Sequence, residues 1–259
     1  MIPDYVPGHS LLSGRTVVVT AAAGAGIGAA VVRRCLEEDA RAVVLGDVHK
    51  RRLDEAAEAL RDEFGADRVS AVLCDVTNSD DVEALLAAAD AFGGLDVLVN
   101  NAGLGGTSSI LEMTDESWSR VLDVTLTGTM RCTRAAARRM VAAGTRGVIV
   151  NNASVVGWRA QAGQAHYAAA KAGVMALTRC SALDLAPHGI RVNAVSPSLA
   201  MHPFLAKVTT DEALAELTSR EAFGRAAEPW EVANVVVFLA GDYSSYLTGE
   251  VVSVSSQHP

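Results

Sequence analysis

The chain of 259 residues has only four cysteines, and no two of them lie close together in sequence. They are Cys35, Cys74, Cys132 and Cys180, with no Cys-x-x-Cys pair and no histidines at metal-binding spacing. This scarcity argues against a disulfide framework, a metal site or a dithiol redox centre. We therefore expect reduced, buried thiols and no metal.

The chain also lacks an excess of positive charge and a long apolar run. Its 22 basic and 30 acidic side chains give a net charge of -8, which disfavours nucleic acid or an anionic membrane as a partner. No stretch of about 18 uncharged apolar residues is present to span a bilayer, and residues 1–8 do not resemble a secretory signal. These absences leave a small molecule as the expected partner and predict a cytoplasmic location.

Short β-branched runs alternate with alanine- and leucine-rich helical stretches from Arg15 onward. We predict about seven strands, at 16–20, 42–46, 69–73, 97–100, 148–152, 191–195 and 251–254. Helical patterns cover 27–38, 51–64, 80–92, 116–143, 164–186 and 229–239. With right-handed crossovers, this order predicts an α/β fold in one domain over residues 1–259, a doubly wound parallel sheet of Rossmann type flanked by helices.

The stretch 196–223 interrupts this alternation. It contains Pro197, Pro203 and a short amphipathic run over 211–220, and it follows the carboxyl end of a predicted strand. Because ligands bind at that edge of a parallel sheet, we predict a substrate lid here.

Tyr167 lies four residues before Lys171 and thirteen residues after Ser154. On a helix, positions i and i+4 share a face, so the phenol and the ammonium point into one cleft. We expect this cation to bring the pKa of Tyr167 from its usual value of about 10 towards neutrality. An isolated Tyr-x-x-x-Lys is usually a helix surface pair. Together with Ser154 and an upstream glycine turn, it indicates proton transfer coupled to hydride transfer.

A glycine-rich turn joins the first predicted strand to the first helix, where backbone amides can approach a pyrophosphate. Its predicted cofactor-binding residues are Gly24, Gly26, Ile27 and Gly28. Asp47 ends the second strand, where a carboxylate accepts hydrogen bonds from the adenosine ribose and repels a 2′-phosphate. This choice predicts NAD rather than NADP. The basic residues of 49–52 argue the other way, and we interpret them as solvated residues at a helix start.

Further motifs follow the order found in the short-chain dehydrogenases/reductases, and the chain resembles this family from Gly14 to Val254. The motifs are Cys74-Asp75-Val76, Asn100-Asn101-Ala102-Gly103, the catalytic set Ser154, Tyr167 and Lys171, and Asn193-Ala194-Val195-Ser196-Pro197. The resemblance implies these cofactor contacts: Asp75 and Val76 at the adenine, Asn101, Ala102 and Gly103 along the sheet edge, Tyr167 and Lys171 at the ribose, and Pro197 and Ser198 on the nicotinamide side.

The sequence departs from the family pattern in several places. The glycine turn is one residue longer than usual, with Ala21 where glycine is common. Thr125 stands where most members carry an asparagine whose backbone holds a relay water, so the resemblance implies the same catalytic task for the Thr125 carbonyl. Ser198 and His202 replace the glycine and threonine near the cofactor carboxamide. These departures predict a reshaped pyrophosphate loop. They also indicate that the cofactor carboxamide is not bound by the contacts that are usual in the family.

Residues 151–161 and 222–230 resemble family members of bacterial sterol-ring breakdown. These members oxidise a hydroxyl on a bicyclic ring remnant, a hydroxy-methyl-octahydroindene carried as a propanoyl-CoA thioester. An apolar pocket for such a ring is predicted from Leu104, Val155, Trp158, Met201 and Phe204. Core packing is the alternative for Val155 and Met201, while Arg159 either meets a CoA phosphate or forms a surface salt bridge.

We therefore expect an oxidoreductase that moves a hydride between NAD and a secondary alcohol or ketone. The expected substrate is a bicyclic acyl-CoA, and the expected assembly is a homotetramer or homodimer. The runner-up within enzymes is a 3-oxoacyl-CoA or acyl-carrier-protein reductase that uses NADPH. The alternative from another class is a non-catalytic NAD-binding regulator or scaffold, which has no need of the intact Ser154, Tyr167 and Lys171.

Overall fold

The computed structural model describes residues 3–201 and 211–257. In this part of the chain, one seven-stranded sheet has the order β3-β2-β1-β4-β5-β6-β7, and each neighbouring pair is parallel. The strands are β1 (Thr16–Thr20), β2 (Ala42–Asp47), β3 (Val69–Leu73), β4 (Val97–Asn100), β5 (Val148–Asn152), β6 (Arg191–Pro197) and β7 (Val251–Val254).

The central strands are rich in valine because both of their faces are buried. Every residue of β1 is buried, which is typical of an inner strand in a parallel sheet. Thr20 pairs with Gly46 at the ends of β1 and β2, and Asn100 pairs with Asn151 near the ends of β4 and β5. The strand order reverses between β1 and β4, so a crevice opens there at the carboxyl edge.

Helices cover both faces of the sheet. They are α1 (Ile27–Glu37), α2 (Lys50–Phe64), α3 (Ser79–Ala87), α4 (Asp115–Leu122), α5 (Gly128–Ala143), α6 (Ala165–Leu185), α7 (Asp211–Ser219) and α8 (Pro229–Ala240). Apolar residues of α1, α2 and α8 pack on one face, and those of α3, α5 and α6 pack on the other. The predicted doubly wound, Rossmann-type sheet is confirmed. Across the described ranges, no helix is long and apolar enough to cross a membrane.

The predicted helix over 116–143 is divided. A π-helical turn, Asp123–Thr127, separates α4 from α5. In this turn, Thr125 Oγ1 accepts a hydrogen bond from Leu104 N (2.9 Å) and donates one to Leu104 O (3.2 Å). Gly128 then begins α5 against Val76, which lies 2.7 Å from the position of an added Cβ. These contacts come from distant loops and leave no periodic signal, so the sequence does not reveal the break.

Two smaller predictions also need correction. The helix predicted over 80–92 becomes a 3-10 turn after Ala87. Cys180 is exposed, whereas the other three cysteines are buried as expected. Its exposure follows from its place on α6, on the face opposite the buried Thr178 and Ala182. The predicted lid over 196–223 is described only in part, since residues 202–210 lie outside the described residues.

The N-terminal segment packs over α1 and α8 through a buried ion pair. Arg34 and Glu38, one helical turn apart, form this pair. Glu38 also accepts hydrogen bonds from the backbone N–H groups of His9 (2.7 Å) and Leu11 (3.0 Å). The guanidinium of Arg34 lies 5.7 Å from the ring centroid of Tyr5. The pair therefore fastens the start of the chain to the body of the domain.

Candidate active site

The glycine turn packs tightly against the segment that follows β4. Gly28 has no room for a side chain, because an added Cβ would lie 2.1 Å from the carbonyl oxygen of Ala21. Asn101 Nδ2 donates to the carbonyl oxygens of Thr20 (3.2 Å) and Ala21 (3.0 Å). The backbone N–H groups of Asn101 and Ala102 both donate to Thr20 Oγ1. The structure thus brings three of the predicted cofactor residues together at the start of α1.

The turn itself leaves open space beside the end of α1. Gly24 has a φ of 100°, and nothing lies within 4 Å of a Cβ added at Gly24 or at Gly26. Ala21 has a φ of 49°, a left-handed conformation that is strained for alanine. Gly26 is the N-cap of α1, which begins at Ile27 without a side-chain cap. Because the first helical N–H groups need partners, this end of the helix fits a pyrophosphate.

Asp47 is buried at the end of β2, and two backbone N–H groups hold its carboxylate. Ala23 N donates to Oδ2 (3.1 Å) and His49 N donates to Oδ1 (2.9 Å). Burial raises the pKa of Asp47, and the bond from Ala23 opposes this shift. Each carboxylate oxygen retains a free lone pair, so the geometry suits a further hydrogen bond from a ribose hydroxyl.

A cavity of about 1000 Å³ runs along the ends of β1 to β4. The predicted cofactor residues in its lining are Asp47, Asp75, Val76, Ala102 and Gly103. Side chains of α4, Glu116 and Arg120, close the opposite wall. The volume and the lining fit the adenosine half of a dinucleotide. The predicted Ser154, Tyr167, Lys171, Pro197 and Ser198 do not line this cavity.

Arg52 also lines the cavity, and its charge lowers the pKa of Asp47. The interpretation of residues 49–52 as solvated agrees with the exposure of Arg52, although Arg52 also faces the cavity. It holds for Lys50 and Arg51, which form exposed i,i+4 ion pairs with acidic residues of α2.

The three predicted catalytic side chains meet beyond the end of β5. Ser154 lies two residues after the end of this strand, and its hydroxyl is near enough to the phenol of Tyr167 to lower the pKa of that phenol. Lys171 lies one turn further along α6, with Nζ 5.5 Å from the centroid of the Tyr167 ring. The ammonium donates to the carbonyl oxygen of Asn152 at 2.5 Å. Serine, phenol and ammonium thus form one cluster.

Burial dominates the electrostatics of this cluster. It raises the pKa of Tyr167 to about 12, and the hydrogen bond with Ser154 opposes the shift. Burial also lowers the pKa of Lys171 to about 8. The expectation that Lys171 brings the pKa of the phenol towards neutrality is therefore wrong for this arrangement, because burial of the phenol is the largest influence on its pKa. At neutral pH the phenol is protonated, which is the form that donates a proton to a ketone.

Thr125 lies close to the lysine, with Gly103 between them. A Cβ added at Gly103 would lie 3.4 Å from Lys171 Nζ and 3.8 Å from Thr125 Oγ1. The carbonyl oxygen of Thr125 accepts a hydrogen bond from Thr129 Oγ1 at 2.8 Å. A relay role for this carbonyl remains a prediction.

The substrate side is only partly described. Trp158 is 49% exposed, Leu104 and Met201 are half-buried, and Val155 is buried. Arg159 is not in a salt bridge among the described residues, and it donates to Gln257 Oε1 at 2.8 Å. Phe204 and His202 lie outside the described residues.

The nicotinamide-side residues lie at the junction of β6 and β7. Pro197 ends β6, and Ser198 N donates to Val254 O at 3.2 Å. His166 is buried and accepts a hydrogen bond from Tyr167 N.

Sequence reasoning missed Asn152, which sits between the two halves of the site. Its carbonyl binds Lys171, and its Nδ2 donates to Asn101 Oδ1 at 2.9 Å. The two consecutive amides, Asn151 and Asn152, at the end of an apolar strand were the signal that could have identified it.

A family model described as enoyl-(acyl carrier protein) reductase matches residues 21–256. The chain is 61% identical to the (5R,7aS)-5-hydroxy-7a-methyl-1-oxo-2,3,5,6,7,7a-hexahydro-1H-indene-carboxyl-CoA reductase of Mycobacterium tuberculosis, over 99% of this chain and 98% of the relative. It is 46% identical to the cis-4-hydroxycyclohexanecarboxylate dehydrogenase of Sinomonas cyclohexanicum, over 93% and 94% of the two chains.

A similar solved structure is that of a short chain dehydrogenase from Mycobacterium smegmatis. The two chains are 56% identical and superpose with a TM-score of 0.88, over 100% of this chain and 99% of the other. Sequence and fold therefore agree along the whole chain.

Proposed function

The chain belongs to the short-chain dehydrogenase/reductase family of NAD(P)-dependent oxidoreductases, and from this membership we propose that it oxidises or reduces a ring-borne oxygen on a bicyclic indene acyl-CoA of sterol breakdown. The observation that carries the proposal is the cluster of Ser154, Tyr167 and Lys171 at the end of β5. A binding protein without turnover has no need of a phenol placed beside both a serine hydroxyl and a buried ammonium.

The cluster divides the proton chemistry among its members. Tyr167 gives its proton to the oxygen when a ketone is reduced and takes the hydroxyl proton when an alcohol is oxidised. Ser154, in contact with the phenol, holds the same oxygen. Lys171 supports the phenolate and binds the ribose next to it. A bound nicotinamide dinucleotide supplies the hydride acceptor for oxidation and the donor for reduction.

The substrate class rests on the names of two relatives. The mycobacterial enzyme is named for a hydroxyl and a ketone on a hexahydroindene that carries a carboxyl-CoA ester. The Sinomonas enzyme is named for a hydroxyl on a carboxylated six-membered ring. Both names place a secondary hydroxyl on a ring that bears a carboxyl group. The first name differs from our sequence expectation in the ring saturation and in the acyl arm, which we expected to be propanoyl.

For the cofactor, we propose NAD rather than NADP. Asp47 lies in the cavity wall where a 2′-phosphate would otherwise bind, and its negative charge repels that group. Arg52, in the same wall, favours NADP and makes a direct kinetic comparison of the two cofactors necessary. The proposed co-substrates, a nicotinamide dinucleotide and an acyl-CoA, support a cytoplasmic location.

Exposed apolar residues, among them Leu111 and Leu183, support a homotetramer or homodimer.

The decisive experiment is a substrate panel with NAD(H) and NADP(H). It compares the hexahydroindene-carboxyl-CoA alcohol and ketone, the octahydroindene-propanoyl-CoA pair and a small 3-hydroxyacyl-CoA. We expect the bicyclic thioesters to be the best substrates. Trp158→Ala should lower kcat/KM for them by about 10- to 100-fold through lost aromatic contact, and should change the small thioester by less than about threefold.

Trp118→Ala is the matched control, because Trp118 is also partly exposed but lies on α4. Equal losses of kcat/KM on the bicyclic and small thioesters would contradict the bicyclic substrate and favour a general hydroxyacyl dehydrogenase. Dinucleotide binding without turnover of any alcohol would favour the regulator or scaffold.

A further inference from the structure

Asn152 completes a chain of hydrogen bonds that runs from the glycine turn to the lysine. At one end, Asn101 Nδ2 donates to the carbonyl oxygens of Thr20 and Ala21. In the middle, Asn152 Nδ2 donates to Asn101 Oδ1 at 2.9 Å. At the other end, the carbonyl oxygen of Asn152 accepts from Lys171 Nζ at 2.5 Å. Asn152 therefore links Asn101, which is bonded to the glycine turn, with Lys171 of the catalytic cluster.

The orientation of both amides follows from the partners at the glycine turn. Two carbonyl oxygens can only accept, so Asn101 must present its NH₂ group to them. Its Oδ1 then faces Asn152, which must answer with its own NH₂ group. The atom of the Asn152 amide that does not face Asn101 is consequently Oδ1, which is a hydrogen-bond acceptor. This assignment follows from the partners and does not depend on the appearance of the amide alone.

This left-over oxygen is buried and has no hydrogen-bond partner among residues 3–201 and 211–257. A buried acceptor without a donor is destabilising, so such groups in native proteins call for a reason. The side chain lies at the carboxyl edge of β5, next to the ammonium that is expected to bind ribose. The donors that a dinucleotide brings to this place are the hydroxyls of the nicotinamide ribose and the NH₂ of the carboxamide.

We propose that Asn152 is a cofactor-positioning residue whose Oδ1 accepts a hydrogen bond from the nicotinamide-riboside half of the dinucleotide. The proposal rests on the proposed function for the identity of the cofactor. It adds a hydrogen bond from a residue of β5 to this half of the cofactor. In this chain, Ser198 replaces the glycine that usually follows Pro197. Asn152 does not touch the reacting atoms, and its effect is on placement.

The test measures binding rather than turnover. Asn152→Leu keeps the size of the side chain and removes the acceptor. Titration calorimetry should show about a tenfold loss of affinity for the preferred dinucleotide, or about 1.4 kcal/mol, with less than a twofold loss for ADP. The unfolding midpoint of the protein without cofactor should not fall, since an unsatisfied oxygen is removed together with one hydrogen bond. Asn152→Ala should give the same split if the leucine variant folds poorly.

Two analogues identify the donor. If ADP-ribose and the 3-acetylpyridine dinucleotide lose affinity as NAD does, the donor is a ribose hydroxyl. If both retain affinity while NAD loses it, the donor is the carboxamide NH₂. Asn234→Leu is the matched control, because Asn234 also has a buried, unpartnered Oδ1 but lies on α8. Unchanged affinity for NAD, or an equal loss for NAD and ADP, would overturn the proposal. Because turnover is not measured, this result is independent of the substrate panel.

Discussion

Two buried cations lie over tyrosine rings in this molecule, and they have different surroundings. Arg34 lies 5.7 Å from the Tyr5 ring and is paired with the buried carboxylate of Glu38. Lys171 lies 5.5 Å from the Tyr167 ring, and its hydrogen-bond partner is the neutral carbonyl of Asn152. The first cation is compensated by a fixed negative charge. The second is not, and burial lowers its pKa to about 8.

The difference separates a structural ion pair from a reactive site. A compensated pair inside the protein is expensive to break, because removal of one partner leaves a buried charge alone. A buried ammonium without a counter-charge lowers the stability of the folded protein. It forms its favourable interaction only when a ligand binds or when the phenolate develops. We therefore expect the Arg34 cluster to contribute to folding stability but not to catalysis. We expect the Lys171 cluster to contribute to catalysis but not to folding stability.

The two tyrosines give the largest expected contrast. Tyr167→Phe keeps the ring and removes the proton that the reaction transfers, so turnover should fall by about 10² to 10⁴ with dinucleotide binding retained. Tyr5→Phe removes the hydroxyl over the other cation and should leave kcat and KM unchanged. Steady-state kinetics on both purified variants measure the contrast. Near-native turnover in Tyr167→Phe would refute the assigned role of the phenol.

Loss of the carboxylate at the N-terminal cluster should mainly affect folding. Glu38→Ala leaves Arg34 buried without a counter-charge, and the free energy of unfolding should fall by about 3 kcal/mol. Urea denaturation followed by far-ultraviolet circular dichroism measures this loss, with Glu63→Ala, which removes an exposed partner of Arg33, as the control. The cofactor affinity of the folded variant should not change. A parallel loss of affinity would show that the two clusters are coupled.

Removal of the uncompensated cation should have the opposite pattern. Lys171→Ala deletes a desolvated ammonium, so the unfolding midpoint without cofactor should stay level or rise. The affinity for NAD should fall by about tenfold, because the hydrogen bonds to the ribose are lost. Calorimetric titration and thermal unfolding of the same sample report the two effects. Undiminished affinity would remove the ribose role from Lys171.

The smallest expected effect is a dependence on pH. Because burial lowers the pKa of Lys171 to about 8, the ammonium is lost as the pH rises through that value. Affinity for NAD should fall about threefold between pH 7 and 8.5, for a single ionisation whose neutral form binds about tenfold more weakly. The unfolded lysine titrates about two pH units higher, so between about pH 8 and 10 the native state binds fewer protons and the protein without cofactor should gain stability. Lys171→Ala should abolish both trends.

Most of the fold could be predicted from the sequence because its sheet is parallel and buried. Strands such as Thr16–Thr20 are buried on both faces and stand out between helical stretches, so their bounds follow from composition. The boundary between α4 and α5 could not be predicted, since the break at Thr125 depends on a contact with Leu104, 21 residues earlier.

The residue types of the site could be predicted, but their electrostatic balance could not. Spacing alone placed Tyr167 and Lys171 on one helix face, because i and i+4 positions always share it. It did not show that the ammonium binds the carbonyl of Asn152, nor that burial shifts both pKa values away from each other. Those properties depend on three-dimensional packing around the pair, which a local pattern does not contain.

The π turn over Asp123–Thr127 also shifts the angular phase of the surrounding helical segment. A turn closed by i to i+5 hydrogen bonds holds one residue more than its α-helical neighbours, so side chains after it are rotated by about 100° relative to an uninterrupted helix. The apolar positions of α4 and α5 therefore follow two helical repeats that are offset from each other by one residue. A one-residue deletion within the turn would restore a regular helix and at the same time rotate the core-facing residues of α5 away from the sheet.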